Sequence, residues 1–310
     1  MGRYILKRIF WALPLLWLIL TLTFFLVRWA PGKPFRRERA VPVEIEAHLD
    51  RHYGLDKPWY VQYANYMRGL IRLDFGPSYR YPDATVGEIM RQGLRVSVPI
   101  GLAAYALALS LGLPLGILAA LRPQSAGVRA LMGLAVLGVV TPNFVLGPLL
   151  VLLFSLTLYW LPPAGWGEGR HLVLPVVTLS AAYVAYIARL TQSGVQQALA
   201  QDYIRTAHAK GIPPRTILLR HALRPALLPV LSFTGPSLAF LLAGTVVIER
   251  IFAIPGLGHF FVQAAFNRDY TLILGIVSFT AIALIVLNLL VDIAIALLDP
   301  RVAVGRGGEA

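Results

Sequence analysis

The residues able to do chemistry are few and poorly placed for it. Six histidines are present: His48, His52, His171, His208, His221 and His259. His48 and His52 are four apart, a spacing that puts two rings on one helix face. They lie in a polar stretch with no third ligand, and no HExxH pair occurs. The expectation is a solvated face and no metal. The Gly32-Lys33 pair is followed by Pro34, so the glycine-rich loop that cradles nucleotide phosphates is missing. No nucleophile elbow appears, nor paired carboxylates in an apolar run. The absence of cysteine excludes disulfides and thiolate sites. Asp292 is an acid inside an apolar run. Near the end of that run it reads as a snorkelling or ion-paired group in preference to a proton relay. The chain therefore reads as a non-catalytic frame, with no catalytic residue, that takes its energy from another protein.

A basic island at 201–229, QDYIRTAHAKGIPPRTILLRHALRPALLP, stands out instead. Arg205, Lys210, Arg215, Arg220 and Arg224 face one acid, Asp202. Apolar residues are interleaved: Ile204, Ile212, Ile217, Leu218, Leu219 and Leu223. This pattern predicts two short amphipathic helices meeting at Gly211, lying at a membrane surface and docking another protein. Pro213-Pro214 suits the start of the second helix. Pro225 is expected to end that helix early. Ile204, Ala207, Ile212, Ile217 and Leu218 form the side expected to bury in the partner. Asp202, Arg205, Lys210 and Arg215 would set register.

The elements that position this island are membrane spans. Of 310 residues, 57% are hydrophobic and 14% charged, and the mean hydropathy is +0.67. Soluble domains carry about 25% charged residues, and here the apolar excess falls in long uncharged runs. The net charge of +13 is unaccompanied by any nucleic-acid-reading motif, so anionic lipid and cytoplasmic loops account for it better. The apolar run behind Arg3, Lys7 and Arg8 is longer than a signal-peptide core and lacks a small-residue cleavage site, so it reads as a retained span.

We therefore expect an all-α polytopic membrane protein with six transmembrane helices. Residues 1–29 make a cytoplasmic N-terminus and the first span. Residues 30–95, with 11 basic and 8 acidic residues and many aromatics, make an extracytoplasmic subdomain. Within it Pro58 to Leu73 reads as a short helix and 83–92 as another, with Thr85 as its cap. The subdomain is either a lid packed on helix ends or a substrate-contacting element. Residues 96–298 make a five-helix core with spans at 96–121, 131–158, 172–190, 226–248 and 271–298, and the docking loop at 195–225. Residues 299–310 are a cytoplasmic tail. Gly112 and Gly116 are spaced for close helix approach. The long third run is expected to kink at Thr141-Pro142-Asn143. The stretch 249–270 reads as a loop.

Charge then sets the orientation. The N-terminus, 122–129, 189–224 and 299–310 hold 13 basic residues and 3 acids, whereas 160–171 and 249–270 hold 3 of each. Positive-inside places both termini and the basic island in the cytoplasm. The basic 30–95 segment falls outside, which long loops tolerate.

The island from Asp202-Tyr203-Ile204-Arg205-Thr206-Ala207-His208-Ala209-Lys210-Gly211 to Leu228-Pro229 resembles the cytoplasmic "EAA" loop of ABC-importer permeases, in the version of the oligopeptide/dipeptide/nickel branch. RYILKRIFWALPLL, Gly54-Leu55-Asp56-Lys57-Pro58, Trp160-Leu161-Pro162, Val247-Ile248-Glu249-Arg250-Ile251-Phe252, Pro255-Gly256-Leu257-Gly258 and Arg268-Asp269-Tyr270 resemble the same branch. Arg205 stands where the wider superfamily has the Glu of EAA.

The resemblance implies the MetI-like permease fold of type I importers, in a bacterial or archaeal inner membrane. It also implies a second, homologous permease subunit, two cytoplasmic ATPase subunits that bind the ATP and Mg, and an extracytoplasmic substrate-binding protein. The chain itself would hold no cofactor. The loop would couple to the ATPase through Asp202, Tyr203, Ile204, Arg205, Thr206, Ala207, Lys210, Gly211, Arg215, Ile217 and Leu218. The cargo implied is a di- or oligopeptide, or nickel or a glutathione-like solute of the same branch. Asn143, Ser232, Thr234 and Ser237 are polar groups in spans that either line a substrate path or, like Asn288, bond between helices. A secondary transporter or channel would need internal inverted repeats or charged midplane residues, and neither is seen.

Overall fold

The computed structural model describes residues 2–30, 34 and 43–298. Among the described residues the regular structure is helical, apart from an isolated β-bridge between Pro77 and Thr85. Five helices are long and apolar enough to cross a membrane, and a bent helix pair makes up to a sixth.

The first span is α1 (Gly2–Trp29), which leaves most of its large apolar side chains exposed and buries Leu20 and Phe24. Two short helices follow, α2 (Val43–His52) and α3 (Trp59–Ile71). The α3 helix leans into the flanks of the spans as well as their ends. Tyr63 Oη and Thr21 Oγ1 of α1 are 2.7 Å apart, and Tyr66 Oη lies 2.8 Å from Ser278 Oγ. Phe24 and Phe25 stack with Tyr66 and Tyr63.

The second span is α4 (Val86–Leu121). Thr85 caps it as expected: the Glu88 N–H donates to Thr85 Oγ1 at 3.2 Å, and the Thr85 N–H donates to Glu88 Oε2 at 2.8 Å. No break separates the predicted 83–92 helix from the span. The cap starts one continuous helix that carries the predicted 83–92 helix straight into the span.

Gly112 and Gly116 are where α4 meets α7 (Arg170–Leu199). A Cβ at Gly116 would sit 2.4 Å from the Ala188 carbonyl oxygen, and one at Gly112 2.9 Å from that of Val184. Small residues at that spacing allow the backbones to touch. The α7 helix does not stop at Arg189 but runs on to Leu199, carrying the basic island beyond the predicted 172–190 span.

The third run is broken where the sequence suggests, but more sharply than a kink. The α5 helix (Ala126–Val140) ends before Thr141, which is extended as residues before proline tend to be. The α6 helix (Asn143–Leu150) and its continuing π turn (Val151–Thr157) then leave at 112°. Residues 131–158 are therefore not one straight span.

The fifth run, expected over 226–248, forms one candidate span at Leu228–Ile251, with a local interruption inside it. The α8 (Asp202–Ala209), α9 (Pro214–Thr216) and α10 (Leu223–Ala226) helices belong to the island. The α11 helix (Leu228–Leu242) stops, Gly244 takes φ +92°, and α12 (Val246–Ile251) restarts. The expected loop after it holds α13 (Leu257–Asn267). The last span is α14 (Tyr270–Leu298). Near its end Asp292 forms an ion pair with Arg8 of α1, the pairing role expected of it.

The buried apolar residues form three clusters. One lies between α4, α7, α11 and α12, one joins α4 to α13 and α14, and one sits beneath the basic island.

Candidate functional site

The island is built on the overhanging end of α7. Gln201 is extended, and α8 (Asp202–Ala209) starts with Asp202 in its first turn, where a carboxylate meets the positive end of the helix dipole. The helix ends at Gly211 with φ +75°. The Gly211 N–H donates to the His208 carbonyl at 2.9 Å, and the Ile212 N–H to that of Ala207 at 3.2 Å. These two bonds define a Schellman corner, in which the left-handed residue is usually glycine. Ile212 then packs back against the cluster that holds Ala207.

The second limb starts at Pro213-Pro214, with proline in the first turn of α9 (Pro214–Thr216). A π turn (Ile217–Ala222) and α10 (Leu223–Ala226) continue it. Pro225 lies inside α10, which ends one residue later at Ala226 before α11 restarts at Leu228. A proline inside a helix orphans the carbonyl four residues back. Here that carbonyl is His221, which accepts from the Tyr203 hydroxyl at 3.4 Å, and the π turn loosens the spacing just upstream.

The apolar side of the island faces inward, which corrects the expectation that it buries in a partner. Ile204, Ala207 and Ile217 are 2%, 7% and 1% exposed, packed with Val195 and Ala198 of α7 and with Ala222 and Ala226. Ile212 and Leu218 are half-buried on the same cluster. The C-terminal ends of α7 and α4 already supply an apolar floor, so these residues anchor the element to its own chain. The approach is close: a Cβ at Gly194 would lie 2.3 Å from the Ala226 carbonyl oxygen. Asp202, Tyr203, Arg205, Thr206, Lys210, Gly211 and Arg215 remain exposed, with Arg220 and Arg224 extending the same basic surface. Asp202 and Arg205 pair at 3.5 Å while both stay largely exposed, so the pair is worth little.

The substrate-path candidates do not come together. Asn143 opens α6, half-buried, while Ser232, Thr234 and Ser237 lie on α11. At about 100° per residue, Ser232 points well away from both Thr234 and Ser237. Ser232 is exposed and Ser237 is buried. Thr234 accepts from the Tyr105 hydroxyl at 2.7 Å and donates to the Val230 carbonyl, the interhelical use foreseen for such groups. Gly235 makes room for Asn288, whose Oδ1 would be 2.5 Å from a Cβ there.

Two buried carboxylates escaped sequence reasoning because both sit in a stretch read as loop. Glu249 is 2% exposed. Its Oε1 accepts from Ser97 Oγ at 2.7 Å, and its Oε2 accepts from the His259 N–H at 2.7 Å. The Gly258 N–H also reaches it, and Ser97 Oγ accepts from the Leu257 N–H at 2.8 Å. The carboxylate thus occupies the N-terminus of α13, where unpaired N–H groups and the helix dipole favour an anion. Gly256 has no side chain because Glu249 fills that space: a Cβ would lie 2.4 Å from its Oε1. The glycines in Pro255-Gly256-Leu257-Gly258 were the available signal.

Asp269 is fully buried and caps α14, accepting from the Leu272 N–H at 3.2 Å. Its other oxygen accepts from Ser78 Oγ at 2.5 Å. Thr271 Oγ1 donates to the Pro77 carbonyl at 2.7 Å, so the segment between α3 and α4 is stapled to the α13–α14 turn.

The described residues thus form a helical membrane frame with an exposed basic face on a buried anchor. Residues 112–304 match the family model of the binding-protein-dependent transport system inner membrane component, and residues 1–83 match that of its N-terminal region. The chain belongs to this family of ABC-transporter permeases, non-catalytic membrane subunits of binding-protein-dependent importers. It is 44% identical over 304 residues to the oligopeptide transport system permease protein OppB of Escherichia coli K12, covering 97% of this chain and 99% of the relative. It is likewise 44% identical over 309 residues to the dipeptide transport system permease protein DppB of Bacillus subtilis, covering 99% and 100%. The fold is similar to that of a chain in the inward-facing MetNI methionine ABC transporter. The TM-score is 0.53 and the identity 16%, over 68% of this chain and 96% of that one.

Proposed function

We propose that this chain forms part of the translocation pathway for di- or oligopeptides, paired with a second permease subunit. The basic face of α8 to α10 docks on cytoplasmic ATPase subunits, which hold the ATP and Mg. An extracytoplasmic binding protein delivers the peptide on the opposite side, and both chain termini lie in the cytoplasm. The peptide assignment is supported by extensive identity to permeases named for oligopeptides and dipeptides. The coupling assignment rests on one observation. The apolar residues of the island are buried in the chain itself, while Arg205, Lys210 and Arg215 stay exposed on a capped corner. An element gripped from behind and charged in front transmits force as a lever.

Peptide uptake into proteoliposomes holding the chain with its co-purifying subunits tests this reading. Uptake is expected to require internal ATP and to fall when Arg205 and Arg215 are both changed to Glu, with ATPase subunits lost from the purified complex. ATP-independent uptake by the chain alone would overturn it.

A further inference from the structure

A groove of about 640 Å³ opens sideways between the N-terminal part of α4 and the middle of α14. Its walls are apolar, chiefly Leu94 and Val98 on α4 and Phe279 and Ile282 on α14. Arg91 and Arg95 also line it. They are four residues apart, so both guanidinium groups project from one face of α4. Neither makes an ion pair or hydrogen bond to another described residue. Glu88, the acid nearest on that helix, is committed to Thr85.

The depth of these groups is set by the sequence. Arg95 is the last charged residue before the uncharged run 96–121, which puts it at the level of lipid headgroups, with Arg91 one turn further out. Gly275 of α14 faces Val86 and Met90 of α4, so Phe279 and Ile282 stand alongside Arg91 to Val98. The groove therefore sets two uncommitted cations beside apolar walls from both helices.

We infer that this groove is a binding site for an anionic phospholipid. The phosphate accepts from Arg91 and Arg95, whose planar guanidinium groups match phosphate oxygens. An acyl chain lies along Leu94, Val98, Phe279 and Ile282. A zwitterionic lipid would fill the same apolar walls but would carry no net charge to the two cations. The leaflet is the one at the N-terminal end of α4, the outer one in the proposed topology, and the binding itself does not depend on which way the chain is inserted.

Native mass spectrometry of the full chain with its co-purifying subunits, released from nanodiscs of mixed phosphatidylglycerol and phosphatidylcholine, tests this inference without any transport step. The expected result is one retained phosphatidylglycerol lost in the Arg91→Gln/Arg95→Gln variant, with preference over phosphatidylcholine falling roughly tenfold. Val98→Trp, which leaves both arginines intact, should displace the same lipid by filling the groove. Unchanged phosphatidylglycerol retention in both variants overturns the site. So does a photo-cross-linker at position 98 that captures the second permease subunit or a peptide in place of lipid. Failure of ATP-driven peptide uptake would touch only the functional reading above.

Discussion

Ser97 Oγ and Glu249 Oε1 are 2.7 Å apart, although 152 residues separate them in the chain. This bond ties α4 to α12, and through the His259 and Leu257 N–H groups it holds the start of α13 as well. The unit sits directly behind the Gly244 break, at the far end of α11 from the basic island. The interruption after α11 thus adjoins a unit clamped to α4. Replacing Glu249 with Gln puts an amide donor against N–H donors, leaving at least one unsatisfied. We expect a loss of about 1–3 kcal/mol for Glu249→Gln, and more for Glu249→Ala, which also leaves a void. Thermal unfolding in detergent measures both, and unchanged melting for Glu249→Ala would refute the clamp.

Gly211 holds φ +75° with nothing within 4 Å of where a Cβ would point. The constraint there is conformational and not steric packing. A left-handed non-glycine residue costs roughly 1–2 kcal/mol, and a β-branched one is worse placed. Gly211→Val should therefore reduce ATP-driven uptake several-fold while leaving the amount in the membrane unchanged. Gly211→Asn should retain most uptake, because Asn tolerates this region. Uptake assays beside quantitative immunoblots decide it, and equal uptake by the Val and Asn variants would count against the corner.

The two faces of the island should separate in mutagenesis. Ile217→Ala removes a side chain that is 1% exposed and should lower stability by about 2–4 kcal/mol. Arg215→Ala, on the exposed face, should leave the melting temperature nearly unchanged and weaken retention of ATPase subunits. Melting curves and co-purification, measured on both variants, check the pair. A stability loss from Arg215→Ala with none from Ile217→Ala would reverse the assignment.

Gly194 is a packing position. Even the single methyl of Gly194→Ala would lie 2.3 Å from the Ala226 carbonyl oxygen, so α7 and α10 must separate. Overpacking of this kind costs about 1–3 kcal/mol. The variant should loosen the lever from its anchor, seen as faster amide hydrogen exchange across 201–226. Gly127→Ala, where a Cβ meets nothing within 4 Å, is the matched control.

Much of this molecule is written locally. Uncharged run lengths mark the spans, the Thr85 and Glu88 spacing marks the start of α4, and Gly211 followed by two prolines marks the corner between α8 and α9. Each signal involves residues a few positions apart, where the energies of capping, turn geometry and membrane burial are decided by neighbours in the chain. Gly112 and Gly116 were legible for the same reason, though not the helix they meet.

What the sequence by itself determined is a polytopic helical frame with a basic amphipathic island and no catalytic centre. Tertiary structure alone decided which way the island faces. The same amphipathic pattern serves a helix docked on a partner or one folded back on its own chain, and here the ends of α7 and α4 with Ala222 and Ala226 bury Ile204 and Ile217 internally. It also turned 249–270 from a loop into a clamped helix. Glu249 is an ordinary exposed-type residue until Ser97 and the N-terminus of α13 arrive from elsewhere in the chain. A buried carboxylate is stabilised by donors brought together in space, and donors far apart in sequence leave no local trace.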